Sequence, residues 1–303
     1  MRLHDVFDYQ ARERPTAEFA VHGDRRLSYR EALMEVHQLA HALVSAGLQL
    51  GDRVAILANN RLESLLLYFA ASKVGVVPVP LNYRLAPPEW AYILQDAQAK
   101  LLIAAEEYLL AIDGIRGELM CVEHCIAFTE HPPRGWMNYS QWIASQATSA
   151  PVCPITDDLE VYQMYTSGTT GHPKGAVLTH RAVTAHLAQA TLALGHRAWE
   201  RLLLVVTLYH AAALRSCRAT PAGRCSSGCC ASPTGSAING VSLGPKGEAA
   251  APEEEQMMER DVEDRGCQRF QPQAEAVGSE CRPDKLLTGC SIPMRVFLSQ
   301  GDD

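Results

Sequence analysis

Gly51-Asp52-Arg53-Val54-Ala55-Ile56-Leu57-Ala58 and, one helical stretch later, Val76-Val77-Pro78-Val79-Pro80 decide how this chain folds. Gly51-Asp52 reads as a turn into an apolar run of strand length, and Asn60 with Glu63 offers a capping box for a helix that ends at Gly75. The prolines keep Val76–Pro80 extended, Pro87-Pro88 opens a further helix through Gln95, and Leu101-Leu102-Ile103-Ala104 reads as the next buried strand. Upstream, Ser28 and Glu31 form a second capping box. Behind it Leu33, Val36, Ala40, Leu43 and Val44 share one helical face, with Gly47 at the C-cap. Helices alternating with short apolar strands over residues 28–104 predict an α/β fold with a mostly parallel sheet. All of these residues read as scaffold.

Between Glu106 and Pro154 the pattern weakens, and Pro132-Pro133, Gly135 and the Ser/Thr/Ala stretch at 145–150 predict surface connections. Regular structure resumes at Leu159. Val161, Gln163 and Tyr165 alternate with Tyr162 and Met164 as in a strand, Ala176-Val177-Leu178 makes a second strand, and Thr179 caps a helix from His180 to Leu194. The loop joining those strands, Tyr165-Thr166-Ser167-Gly168-Thr169-Thr170-Gly171-His172-Pro173-Lys174-Gly175, carries the chemistry. Gly168, Gly171 and Gly175 permit backbone angles that turn N–H groups into one concavity. The hydroxyls of Thr166, Ser167, Thr169 and Thr170 add donors, and Lys174 adds a point charge, a set that suits a polyphosphate. The order is not that of the common P-loop, because Lys174 follows Pro173 and no Gly-Lys-Ser/Thr leads into a helix.

This segment closely resembles the signature loop of the adenylate-forming (AMP-binding) superfamily, which includes acyl-CoA synthetases, aryl-CoA ligases, luciferases and peptide-synthetase adenylation domains. Leu27-Ser28-Tyr29-Arg30-Glu31-Ala32, Gly51-Asp52-Arg53-Val54-Ala55, Leu81-Asn82-Tyr83-Arg84-Leu85 and Leu208-Tyr209-His210 resemble acyl-CoA synthetase stretches in the same order. The resemblance implies an incomplete N-terminal domain of that fold over residues 1–212. It implies an acid–CoA ligase, which joins a fatty or aromatic acid to ATP, releases pyrophosphate and passes the acyl group to coenzyme A. It further implies that Thr166, Ser167, Gly168, Thr169, Thr170, Gly171, Lys174 and Gly175 bind the nucleotide phosphates, with Mg²⁺ sharing the charge. Lys174 and His210 are the implied catalytic residues, His210 lying near the acyl carboxylate and α-phosphate; the plain alternative is a histidine at a strand end. Thr179-His180 also matches family sequence, but helix capping explains Thr179 without catalysis.

After His210 the resemblance stops. No Tyr-Gly-x-Thr-Glu stretch follows, Thr288-Gly289-Cys290 lacks the carboxylate of the family's ribose-binding Thr-Gly-Asp, and the hinge aspartate and late lysine have no counterpart. Residues 213–303 hold 16 Ile, Leu, Val, Met or Phe residues and no Trp or Tyr, which predicts a poorly ordered tail unrelated to the first part. Cys217, Cys225, Cys229 and Cys230 lack paired C-x₂-C spacing, and the tail has no histidine, so no metal site is predicted. The Cys/Arg/Ser/Gly/Pro-rich run from Arg215 is what out-of-frame translation of a GC-rich gene would produce. The expectation is a chain inactive or weakly active alone. Two other readings are a silent nucleotide-phosphate-binding remnant and an adenylation module that loads a carrier-protein thiol.

The composition narrows the class. A net charge of −7 over 303 residues, with no stripe of positive residues along one face, argues against a nucleic-acid partner. Apolar residues at 47% are enough to bury a core, yet no run reaches the roughly 18 needed for a membrane span. The acidic opening Met1–Asp8 is unlike a signal peptide, so the expected location is cytoplasmic and the ten cysteines are expected to be reduced. The expected partners are small molecules (a carboxylic acid, ATP and coenzyme A), and no protein partner is evident.

Overall fold

The structure is a computed structural model that describes residues 1–166, 172–195, 201–204, 207–209, 217–218 and 295–298. The chain divides into two units, 1–229 with 286–303 and 230–285, and every described residue lies in the first. Its helices are α1 (Leu3–Glu13), α2 (Tyr29–Ser45), α3 (Leu62–Val74), α4 (Pro87–Asp96), α5 (Leu109–Ile115), α6 (Tyr139–Ala144) and α7 (His180–Leu194). The strands are β1 (Glu18–His22), β2 (Arg25–Ser28), β3 (Arg53–Leu57), β4 (Val77–Pro80), β5 (Ala99–Ala105) and β6 (His124–Phe128). They continue with β7 (Met137–Asn138), β8 (Glu160–Thr166), β9 (Lys174–Thr179), β10 (Arg201–Leu204), β11 (Cys217–Arg218) and β12 (Arg295–Leu298).

A parallel sheet in the order β4-β3-β5-β6-β7 is the centre, as the βα alternation predicts. Successive side chains of a strand point to opposite faces, and the core follows that rule. Val54, Ile56, Leu101, Ile103 and Ile126 pack against α2, α3 and α6 on one side. Ala55, Leu57, Leu102, Ala104 and Ala127 pack against α4 and α5 on the other. Both faces are covered, which is why these strands read as continuous apolar runs. A second sheet has the order β11-β10-β12-β1-β2, and β8 with β9 form a separate antiparallel hairpin.

Local signals and structure part company at four places. Ser28 caps α2 as expected, with Glu31 N–H on its hydroxyl at 3.3 Å, but Val44 is 47% exposed rather than on the buried face. Gly47 sits one position past the C-cap Ala46 at φ +85°, where the N–H groups of Gly47 and Leu48 reach back to the carbonyls of Val44 and Leu43. The Asn60/Glu63 capping box does not form: α3 starts after Arg61 without a side-chain cap, because Glu63 is drawn to Arg25 and Arg61. The stretch 106–154, expected as surface connection, contributes the sheet strand β6, whose Cys125, Ile126 and Ala127 are buried. Cys217–Arg218 and Arg295–Leu298 pair in the second sheet as β11 and β12, and the rest of the expected poorly ordered tail, 213–303, lies outside the described residues.

Candidate active site

The predicted phosphate loop is the connection of the β8–β9 hairpin. Tyr165 pairs with Gly175 and Thr166 with Lys174, so the last hydrogen-bonded rung brings a hydroxyl and an ammonium side chain to the two ends of the loop. Thr166 and Lys174 are exposed, and among the described residues Lys174 has no ion-pair partner. Ser167, Gly168, Thr169, Thr170 and Gly171 lie outside the described residues.

Under the hairpin runs a chain of polar contacts that the sequence did not announce. The Tyr165 hydroxyl donates to Asp96 Oδ2 at 2.5 Å and accepts from Gln163 Nε2 at 3.0 Å. Gln163 Oε1 in turn accepts from Arg53 Nε at 3.2 Å, and Arg53 Nη2 pairs with Glu160 at 2.7 Å. Burial, and after it the bond to Asp96, pushes the Tyr165 hydroxyl well above the ordinary phenol range, so it stays protonated and donates. Gly175 lies over this pair: a Cβ there would stand 2.5 Å from Gln163 Nε2 and 3.0 Å from Tyr165 Cζ. Beyond the loop, the His172 ring stacks on Tyr92 of α4 with centroids 4.9 Å apart at 25°. Tyr92 and Asp96 were missed because their partners are remote in sequence, and α4 runs through Asp96, one residue past the helix end expected at Gln95.

His210 also lies outside the described residues, but the residues before it are anchored. The Leu208 N–H donates to Asn60 Oδ1 at 2.7 Å, the Leu208 carbonyl accepts from the Tyr68 hydroxyl at 3.1 Å, and Tyr209 meets Tyr83 edge-on at 5.3 Å. Asn60 is therefore used at long range and not as a cap. Thr179 does cap α7, its hydroxyl accepting the Ala182 N–H at 3.3 Å. His180 is fully buried, and its Nδ1 accepts the Leu3 N–H at 3.1 Å. Burial lowers its pKa to about 4, so it is neutral near pH 7 and cannot supply positive charge to a phosphate.

The described donor set, an exposed hydroxyl and an unpaired ammonium flanking a Gly/Ser/Thr loop, fits the polyphosphate of a nucleotide. Among the described residues no three His, Cys, Asp or Glu side chains gather as they would to hold a metal ion, and no helix is long and apolar enough to cross a membrane.

A long-chain fatty-acid–CoA ligase of Mycobacterium tuberculosis is 34% identical over 197 residues, covering 63% of this chain and 37% of the ligase. A fatty acid–[acyl-carrier-protein] ligase of Streptomyces coeruleorubidus is 36% identical over 184 residues, covering 60% of this chain and 34% of its own length. The chain thus spans little more than a third of these relatives. Among solved structures, an anthranilate CoA ligase in complex with anthranoyl-AMP superposes with a TM-score of 0.67 at 29% identity, over 69% of this chain and 40% of that one. The family model described as AMP-binding enzyme matches residues 7–235, well over half of the chain, and the chain belongs to that family.

Proposed function

We propose that residues 1–212 are the phosphate-binding part of an ATP-dependent acid–CoA ligase acting on a fatty or aromatic acid. The observation that carries this reading is the Thr166–Lys174 rung at the mouth of the hairpin, which sets donors on either side of Ser167–Gly171. In the proposed reaction a carboxylate oxygen attacks the α-phosphorus of ATP, the bond to the β-phosphate oxygen breaks, and pyrophosphate leaves. The thiol sulfur of coenzyme A then attacks the acyl carbon, AMP leaves, and the thiol proton passes to solvent. Lys174 and the loop stabilise charge moving onto the leaving pyrophosphate, and Thr166 and Gly175 border that site. Mg²⁺ arriving on the nucleotide phosphates would share that charge, and the family resemblance assigns to His210, which lies outside the described residues, a role near the carboxylate and α-phosphate.

Residues 213–303 supply none of the family's adenine, ribose or hinge motifs, so these 303 residues alone should activate acid weakly or not at all. The likeness to an acyl-carrier-protein ligase favours one second reading, in which the acceptor thiol sits on a carrier protein. The experiment is acid-dependent ATP–pyrophosphate exchange with a panel of fatty and aromatic acids. It compares the 303-residue chain, a chain continued past residue 212 with the family's adenine, ribose and hinge segments, and Lys174→Ala in the continued chain. Traces from the first and recovery in the second are expected. Lys174→Ala should lower turnover by roughly 10²–10³, the scale for losing one preorganised donor. Robust exchange by the 303 residues would overturn the proposal of weak activity alone, and an unaffected Lys174→Ala enzyme would overturn the role of the loop. ATP binding without exchange in the continued chain would leave a phosphate binder and no ligase.

A further inference from the structure

We propose that Tyr92 and Asp96, one turn apart on α4, are positioning residues that hold both ends of the phosphate loop at once; this rests on the phosphate-binding reading above. On the incoming side the Tyr165 hydroxyl is tied to Asp96 Oδ2 at 2.5 Å, one residue before β8 ends at Thr166. On the outgoing side the His172 ring lies on the Tyr92 ring at 4.9 Å, two residues before β9 begins at Lys174. Only Thr166–Gly171 separate the two grips. Residues four apart on a helix share a face, so one rigid element reaches both ends.

α4 is well suited to this task. Ile93 and Leu94 are no more than 1% exposed in the core, the Trp90 indole N–H donates to the Asn82 carbonyl at 2.9 Å, and Glu89 holds the Ala86 N–H at 2.8 Å. The Tyr165 ring is fixed from the other side by Gln163 and by the room that Gly175 leaves. Holding Tyr165 and His172 fixes where the neighbouring Thr166 and Lys174 present their donors, and preorganised donors cost less to order on a ligand. Tyr92 and Asp96 therefore act on phosphate binding through Tyr165 and His172 and touch no substrate themselves.

The test is calorimetric titration of the 303-residue chain with ATP–Mg²⁺ and with inorganic pyrophosphate. The variants are Tyr92→Ala, Asp96→Ala, the double Ala variant, Tyr165→Phe, and the conservative Tyr92→Phe and Asp96→Asn. Each Ala variant and Tyr165→Phe should weaken both ligands about three- to tenfold, the range for one net hydrogen bond or one ring stack, and the double variant by about the product. Tyr92→Phe, which keeps the ring, and Asp96→Asn, which keeps an acceptor oxygen, should rescue binding. A role confined to stability would shift melting midpoints without this pattern, and that result would overturn the positioning role. Tyr165→Phe removes a single hydroxyl and decides the matter should the Ala variants fail to fold. Wild-type binding that depends on Lys174 but not on Tyr92, Asp96 or Tyr165 overturns the positioning role alone. A wild-type chain indifferent to both ligands overturns the function proposed above and the positioning role with it.

Discussion

Gly175 shows how one residue can serve two demands. Its place in the hairpin connection was legible because the run of glycines, hydroxyls and Lys174 is local in sequence, but its packing was not, since Gln163 and Tyr165 meet it only across the hairpin. Gly175→Ala would push a methyl into Gln163 Nε2 and the Tyr165 ring, and Gln163 cannot swing away without giving up Arg53 and Tyr165. Overpacking of this kind costs about 1–3 kcal/mol, so the urea midpoint should fall. Adding Gln163→Ala should recover part of the loss, because it removes the nearer clash. Strictly additive losses would mean that the two side chains do not compete for this space. Tyr92, Asp96 and Arg53 were illegible for the same reason: a contact such as Tyr165 to Asp96, 69 residues apart, leaves no mark in a short window of sequence.

Helix ends separate what short windows can and cannot tell. Ser28 and Glu31 cap α2 as read because both partners lie within one turn, whereas Asn60 and Glu63, an equally good pair on paper, are claimed by Leu208, Arg25 and Arg61. Ser28→Ala should therefore cost about 1 kcal/mol in chemical denaturation, and Asn60→Ala should loosen the Thr207–Tyr209 stretch instead of fraying α3. Amide exchange at Leu208 distinguishes the two effects. Another contact between elements is set by burial. His180 at the start of α7 accepts the Leu3 N–H, and His4 on α1 has Ser72 of α3 at 2.8 Å from its Nδ1. Arg2, Asp5, Asp8, Lys73, Asp157 and the N-terminal ammonium face these rings, but burial dominates and lowers both pKa values to about 4. In the unfolded chain each returns to about 6.5, so below that pH the unfolded state binds more protons. Stability from these neutral rings is whole above about pH 6.5 and is lost progressively as pH falls toward 4. Urea midpoints at pH 7, 6, 5 and 4 should fall accordingly, and His180→Gln should fall less steeply. Identical profiles would show that His180 already carries a proton in the folded chain.

The two sheets of the whole molecule draw on very different spans of sequence. The parallel sheet takes all five strands from residues 53–138, in runs whose apolar character is local, and was readable apart from β6 and β7. The other sheet gathers β1 and β2, then β10, β11 and β12 from beyond residue 200. Averaging the large apolar residues over 213–303 hid the fact that Ile292, Met294, Val296, Phe297 and Leu298 fall within seven positions. This local density is what a strand needs. β12 runs parallel between β1 and β10, with Val296 opposite both Ala20 and Leu202, so it occupies an interior place with a ladder on each side. Proline cannot donate to a ladder and is confined to edges and bulges, so Val296→Pro should destabilise the fold by on the order of 1–3 kcal/mol. The same geometry requires the amides of Val296, Phe297 and Leu298 to exchange slowly. Protection at 296–298 together with a lowered urea midpoint for Val296→Pro would establish that the segment after the family-like part closes the sheet. Free exchange there with an unchanged midpoint would remove β12 from the sheet and leave β1 and β10 without a common neighbour.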